Sequence, residues 1–286
     1  MEANIFNPSE SYIRCAWRMN TLTENLRSAC VALSRTVLDD MDGVKLMKRF
    51  DAKYVIPESW LPELVNAVAG SSRILEVNGQ TETQYENLYY ELPGEKFLKD
   101  HLRGKARRMK VRERRYDSNN MTFLEVKRRF AGGKTIKDRV NRHGRFRESW
   151  TSAEQDFLKS SMSTDTVLEP RLYGSFMRMT LVNFERGERM TLDRNLECTL
   201  VGSAPTALLK GLAIIEIKQP KPDRYGPAQR WLRSQDKRQG VVARKTRISK
   251  YAMSRLECDP DIGARTYLAT YRRLQDAKSW AEDLQA

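Results

Sequence analysis

Hydrophobic positions along this chain keep two different periods. In the first 44 residues a polar start gives way to Leu22, Leu26, Ala29, Leu33 and Val37. That spacing of three to four marks the apolar face of a helix, with Thr21 as its cap. The acidic turn Asp39-Asp40-Met41-Asp42-Gly43 ends it. From Val44 the period falls to two. Alternation predicts strands over Lys45–Ile56, Tyr85–Glu91, Arg107–Tyr116, Thr122–Phe130, Thr135–Arg142, Leu172–Phe184, Glu188–Cys198 and Gly211–Lys218. Helical patterns run from Pro57 to about Gly70 and onward from Ser149-Trp150-Thr151-Ser152. Others cover Pro227–Arg238, Lys245–Leu256 and Asp261–Trp280.

Eight strands with helical inserts, and no regular βαβα alternation, predict an antiparallel α+β architecture. Residues 1–44 read as an N-terminal helical extension, 45–256 as the strand-rich body and 257–286 as a C-terminal helix.

The polar faces of the strands are unusual. Successive side chains point to opposite sides of a strand. Arg49, Asp51 and Lys53 therefore share one face, against Phe50, Ala52 and Tyr54. Lys110, Arg112 and Arg114 share another, as do Glu125, Lys127 and Arg129. Lys137 with Arg139, Arg178, Arg189 with Thr191 and Asp193, and Glu216 with Lys218 continue the series. If helices cover the apolar faces, the charged faces lie together on the other side. In a sheet curled into a barrel that side is the lumen. A dry lumen of this composition is too costly, because each unpaired buried charge costs several kcal/mol. The faces make sense around water and a bound polyanion.

Composition agrees. Lys plus Arg number 51 and Asp plus Glu 37, a net charge of +14. Between Lys99 and Arg147 there are 18 Lys/Arg against 5 Asp/Glu, an excess of 13 that holds nearly the whole surplus. Arg forks suit phosphate oxygens, and Lys adds point charges. Glu125, Asp193 and Glu216 are the carboxylates available to a hard divalent cation, which takes oxygen ligands and bridges to phosphates. The residues read as a basic tunnel for a condensed phosphate chain with Mg²⁺ or Mn²⁺.

Other classes are excluded. No run approaches the ~20 apolar residues of a membrane span. Met1–Asn20 carries Glu2, Glu10, Arg14 and Arg18 and has no apolar stretch suited to a signal peptide. Cys15, Cys30, Cys198 and Cys258 are scattered without a C-x-x-C pair, and read as inert reduced thiols of a cytoplasmic protein. His101 and His143, the only histidines, are expected at the surface without a role. Tyr89, Tyr90, Tyr116 and Tyr251 are expected to pack. Gly132-Gly133-Lys134-Thr135 lacks the upstream glycine of a phosphate-binding P-loop.

Six segments occur in an order that resembles the VTC domain, the catalytic domain of polyphosphate polymerases of the vacuolar transporter chaperone complex and its bacterial relatives. They are Lys48-Arg49-Phe50-Asp51-Ala52-Lys53-Tyr54, Leu88-Tyr89-Tyr90-Glu91, Lys110-Val111-Arg112-Glu113-Arg114-Arg115-Tyr116, Phe123-Leu124-Glu125-Val126-Lys127, Ile215-Glu216-Ile217-Lys218 and Ser249-Lys250-Tyr251. The resemblance runs from about Val44 to Leu256 and extends to the triphosphate tunnel metalloenzyme (CYTH-like) superfamily. It implies an eight-stranded antiparallel β-barrel tunnel with flanking helices. It also implies transfer of the γ-phosphate of ATP to a growing polyphosphate chain with Mn²⁺ or Mg²⁺. On the family pattern Lys53, Arg112, Arg114, Lys127, Arg178 and Arg189 line the phosphate path. Glu216 with Glu125 holds the metal, and Lys218 and Lys250 close over the phosphates. Arg49, Lys110, Lys137, Arg139 and Ser249 are further phosphate-binding candidates, and Asp193 a further metal candidate. Asp51 stands where relatives usually carry Glu, and Glu91 where Asp is usual. Both exchanges bear on metal geometry.

The expected activity is therefore an ATP-dependent polyphosphate polymerase of the cytoplasm. The membrane segments and SPX domain of the eukaryotic complex are absent from this sequence, so export would need a membrane-protein partner. The alternatives are a metal-dependent tripolyphosphatase or nucleoside triphosphatase, and a non-catalytic polyphosphate- or RNA-binding module. Aromatics are sparse between the bases of the Lys99–Phe130 stretch, which counts against nucleic acid.

Overall fold

Each segment of two-residue period becomes a strand. The computed structural model describes residues 21–44, 49–142, 146, 149–162, 167–239, 243, 245–259, 262 and 265–283. Cys15, His143, the polar start and residues 45–48 of the first expected strand lie outside them. The eight expected strands are β2 (Phe50–Pro57), β4 (Glu82–Glu91), β5 (Arg108–Tyr116), β6 (Met121–Arg129), β7 (Thr135–Asn141), β8 (Glu169–Asn183), β9 (Glu188–Leu200) and β11 (Leu212–Gln219). They pair antiparallel in the order β2-β11-β9-β8-β4-β5-β6-β7. Three short strands sit beside this path: β1 (Ser34–Thr36), β3 (Arg73–Leu75) and β10 (Thr206–Ala207).

Register brings the charged faces together. Directly opposed residues of an antiparallel pair share a face. Glu216 lies opposite Lys53 and Thr191, and Lys218 opposite Asp51 and Arg189. Arg112 lies opposite Tyr89 and Glu125, and Glu125 opposite Arg139. A one-residue slip would exchange these faces for the apolar ones.

Helices cover the outer, apolar faces. In one cluster Leu26 of α1 (Thr21–Val31) and Leu61, Leu64 and Val65 of α2 (Leu61–Val68) are buried with Ile56, Ile215 and Ile217. Leu232 of α5 (Pro227–Gln239), Tyr251 and Met253 of α6 (Lys250–Cys258) and Leu274 of α7 (Arg265–Asp283) join them. Leu158 and Met162 of α4 (Ser152–Met162) form a second cluster with Val111, Leu124 and Val126. No described helix is long and apolar enough to cross a membrane.

Among the described residues the ladder does not close on itself. β2 and β7 remain edges of the hydrogen-bonded path. The edge of β2 is covered instead by the chain before α6, where Ala243 donates to the Val55 carbonyl at 3.1 Å and Thr246 to the Lys53 carbonyl at 2.7 Å. Lys53 Nζ then bonds the Ile248 carbonyl at 3.2 Å, and Lys110 Nζ on β5 bonds Ser249 Oγ at 2.7 Å. The seam is thus sewn by lysine side chains. Lys53, Lys110 and Lys127 repel one another across it, which favours a wet opening over a closing ladder.

Local period fails where tertiary pairing competes. α1 ends at Val31, short of Leu33 and Val37. The chain there turns into β1, which pairs in parallel with β3. Leu33 is still buried, but Val37 is exposed. The helix expected from Lys245 starts at Lys250, because residues before it are extended along β2. Ser249 caps it, its Oγ accepting from the Ala252 amide at 3.3 Å. A helix absent from the sequence reading, α3 (Lys96–Leu102), follows β4. Its first amides, Phe97 and Leu98, donate to the Glu91 carboxylate at 2.9 and 2.8 Å, and the Tyr251 hydroxyl donates to it as well. Glu91 is fully buried outside the tunnel, so its exchange for the usual Asp bears on helix capping and not on a metal.

Glu91→Ala would strand two amides and a tyrosine hydroxyl in the core. Urea denaturation is expected to show a loss of about 2–4 kcal/mol of stability; a variant as stable as the parent would contradict this role.

Candidate active site in a basic tunnel

The inner face of the sheet encloses a cavity of about 1210 Å³. Its described walls carry fifteen Lys and Arg side chains and three carboxylates, Asp51, Glu125 and Glu216. All the residues expected to bind phosphate or metal line it except Asp193. Met121, 40% exposed, marks one end of β6, and exposed Arg129 marks the other. Both residues line the cavity, so it runs the length of β6, about 27 Å at the rise of an antiparallel strand.

Two carboxylates brace the wall. Asp193 on β9 is fully buried behind the surface of the bore. Arg178 of β8 forks onto it with bonds of 2.5 and 2.7 Å, and Lys250 bonds its second oxygen. Burial alone would raise the Asp193 carboxyl, but Arg178 and Lys250 hold it down at about 2. Glu125 on β6 accepts from Arg112 Nε at 2.7 Å and from Lys137. Against burial, Arg112, Arg114 and Lys137 hold it well below the usual carboxylate range. Glu125 and Asp193 thus orient cations. Glu216, which also lines the lumen, bonds Lys218 at 3.0 Å. Burial would raise it too, but Lys53, Lys218 and Arg178 keep it ionised. No group of three metal-ligating side chains forms among the described residues. The three expected metal carboxylates are spread over the wall.

Aromatic rings separate the cations. Tyr85 stacks on Phe176, and Arg178 lies 4.8 Å from the centre of the Tyr85 ring. Arg114 lies 5.5 Å from the same ring and bonds Asn87 Oδ1 at 2.9 Å. Tyr89 stacks on Tyr251, with Lys110 5.5 Å over the latter. Arg139 sits 4.5 Å over Phe123. A cation over a ring face gains attraction without losing its charge for a ligand. Tyr89, Tyr116 and Tyr251 thus line the bore; of the four tyrosines expected to pack, Tyr90 lies outside it, bonding Glu113 at 2.5 Å.

Sequence reasoning missed Tyr85, Arg108, Arg247 and His101 as lining residues. Tyr85 shares the two-residue period of Tyr89, so its side was readable. Arg247 precedes a helix and carries no period. His101, expected at the surface, is 8% exposed on α3, its Nε2 2.7 Å from the Tyr267 hydroxyl. Burial, and then the charges of Lys110, Arg108, Lys53 and Lys127, push it down to about 2, so it stays neutral.

Several lysines are poised to lose protons. Burial pushes Lys137, Lys218 and Lys250 down to about 8 against the pull of Glu125, Glu216 and Asp193 respectively. An unfolded lysine holds its proton to about pH 10.4. As pH rises past 8 the empty bore sheds charge that a polyanion needs, so binding there takes up protons. Calorimetric affinity for tripolyphosphate is expected to fall about tenfold between pH 7 and pH 9. A flat profile would contradict it.

The VTC domain pattern matches residues 48–257. No curated protein matches the chain. Among solved structures, the PH1819 protein from Pyrococcus horikoshii OT3 is similar at 15% identity and a TM-score of 0.40, over 72% of this chain and 97% of that one. A putative adenylyl cyclase from Hippeastrum, described as having a dominant triphosphatase activity, is 15% identical with a TM-score of 0.42, over 73% and 95%. A putative adenylate cyclase from Bacillus halodurans is 11% identical with a TM-score of 0.42, over 71% and 96%. The match at 48–257 spans every strand that walls the bore, and the chain belongs to the VTC domain family.

Proposed function

We propose that this protein is a polyphosphate polymerase that moves the γ-phosphate of ATP onto the end of a polyphosphate chain. The observation that carries this reading is the bore itself, lined among the described residues by fifteen cations and three carboxylates along the length of β6. A lumen longer than a triphosphate suits a growing polymer that must leave as it lengthens. A terminal oxygen of the acceptor chain attacks the γ-phosphorus, the bond to the β-phosphate oxygen breaks, and ADP departs. Such transfer needs positioning and charge neutralisation more than covalent help. Arg178, braced by Asp193, and Arg112, braced by Glu125, present guanidinium edges in fixed directions. Lys53, Lys127, Lys218 and Lys250 add charge around them.

The donor set fits a divalent cation held mostly by phosphate oxygens, since Glu216 faces the bore bonded to one lysine, Lys218, whereas Glu125 and Asp193 each brace two cations. Glu216 would hold Mn²⁺ or Mg²⁺, which when bound supplies further charge neutralisation at the phosphates. ATP places this work in the cytoplasm, and export of the product would fall to a membrane-protein partner.

Purified protein given ATP, Mn²⁺ and a pyrophosphate primer is expected to build a phosphate ladder on a gel. Phosphate release without chain growth would make it a hydrolase and overturn the reading. Arg112→Ala and Arg178→Ala are expected to weaken tripolyphosphate binding at least about tenfold with or without metal. Glu216→Ala should remove the metal-dependent step and leave metal-free binding near normal. Full metal-dependent turnover in Glu216→Ala would refute the metal assignment.

A further inference from the structure

Cys198 and Cys258 are 60 residues apart in the chain, yet their Sγ atoms lie 3.6 Å apart as free thiols. Cys198 is on β9 and fully buried. Cys258 is the last residue of α6 and partly exposed. At that separation a rotation or a small shift of the helix end brings the sulfurs to the ~2.05 Å of a disulfide.

The pair is chemically unequal. The hydrogen bond shared with Cys198 pulls the Cys258 thiol down to about 7, against burial, with Leu200, Thr206 and Arg255 adding to the effect. The same bond, together with burial, pushes Cys198 up. A partly exposed thiol beside a fully buried one is the layout of an attacking and a resolving cysteine.

We propose that Cys198 and Cys258 form a reversible oxidation site, taking hydrogen peroxide as oxidant and clamping the C-terminal end of α6 to β9. The Cys258 thiolate attacks one peroxide oxygen. The O–O bond breaks, and the departing hydroxide takes a proton to become water. The Cys258 sulfenic acid that results is attacked by the Cys198 sulfur. The S–S bond forms, the S–O bond breaks, and the thiol proton leaves with the hydroxyl as a second water. Two thiols give up two electrons and one peroxide becomes two waters. A thiol reductant reverses the change. The other end of α6 carries Ser249, Lys250 and Tyr251 into the bore, so the clamp anchors the helix that presents them. The proposal stands apart from the polymerase reading.

Full-length protein is treated with a few equivalents of hydrogen peroxide and mapped by peptide mass spectrometry. The expected product is a cross-link between the Cys198 and Cys258 peptides, lighter by two hydrogens and reversed by dithiothreitol. Cys15→Ser and Cys30→Ser should keep it, and Cys258→Ser should lose it. The oxidised protein should melt at least about 5 °C higher than the reduced form. The wild-type map alone decides the matter if a variant misfolds. Cys258 unreacted, oxidised only to sulfinic or sulfonic acid, or joined to Cys15, Cys30 or a second chain would each overturn the proposal.

Discussion

Fifteen cations sharing one bore is the constraint on which this architecture rests. Like charges at close range in a partly dehydrated space repel strongly. The wall answers with few carboxylates, and two of them are used twice. Asp193 restrains Arg178 and Lys250 together, and Glu125 restrains Arg112 and Lys137. These pairs cancel too little charge to neutralise the lumen, but they set the directions in which guanidinium groups point. The residual repulsion is what a polyanion would relieve. The bore is therefore organised before a ligand arrives, at the expense of its own stability when empty.

α6 connects the bore to the rest of the molecule. Its cap, Ser249, bonds Lys110 across the open seam. Lys250 reaches Asp193, and Tyr251 stacks on Tyr89 while bonding Glu91. Glu91 in turn caps α3, which holds His101 against the neighbouring cations. Lumen-facing and core-facing contacts thus alternate along a single turn. A disturbance at the far end of α6, where Cys258 meets Cys198, has a short path to the lumen.

Much of the site was legible because strand alternation is a local property. Once Lys110, Arg112 and Arg114 share a face, any antiparallel sheet keeps them together. Their partners were not legible. Asp193 reads as a metal candidate until the register sets Arg178 directly opposite it. Glu91 reads as a departure from a metal motif until α3 folds back over it. Leu33 and Val37 keep a helical period that β1 overrides by pairing with β3. His101 looks like a surface residue of a basic segment, and only packing against Tyr267 buries it.

The strands, the side of each strand that carries charge, and the sign of the field they make together were written in the order of the residues. These follow from a two-residue repeat and from counting charges, and neither depends on distant residues. Tertiary structure decided which cations Glu125 and Asp193 brace, and it set Asp193 behind the wall while Asp51, Glu125 and Glu216 line the lumen. It also left the ladder open at β2 and β7 and brought two scattered cysteines together. Those outcomes depend on register and on helix docking, where contacts between residues far apart in the chain compete and a small displacement changes a side chain's partner.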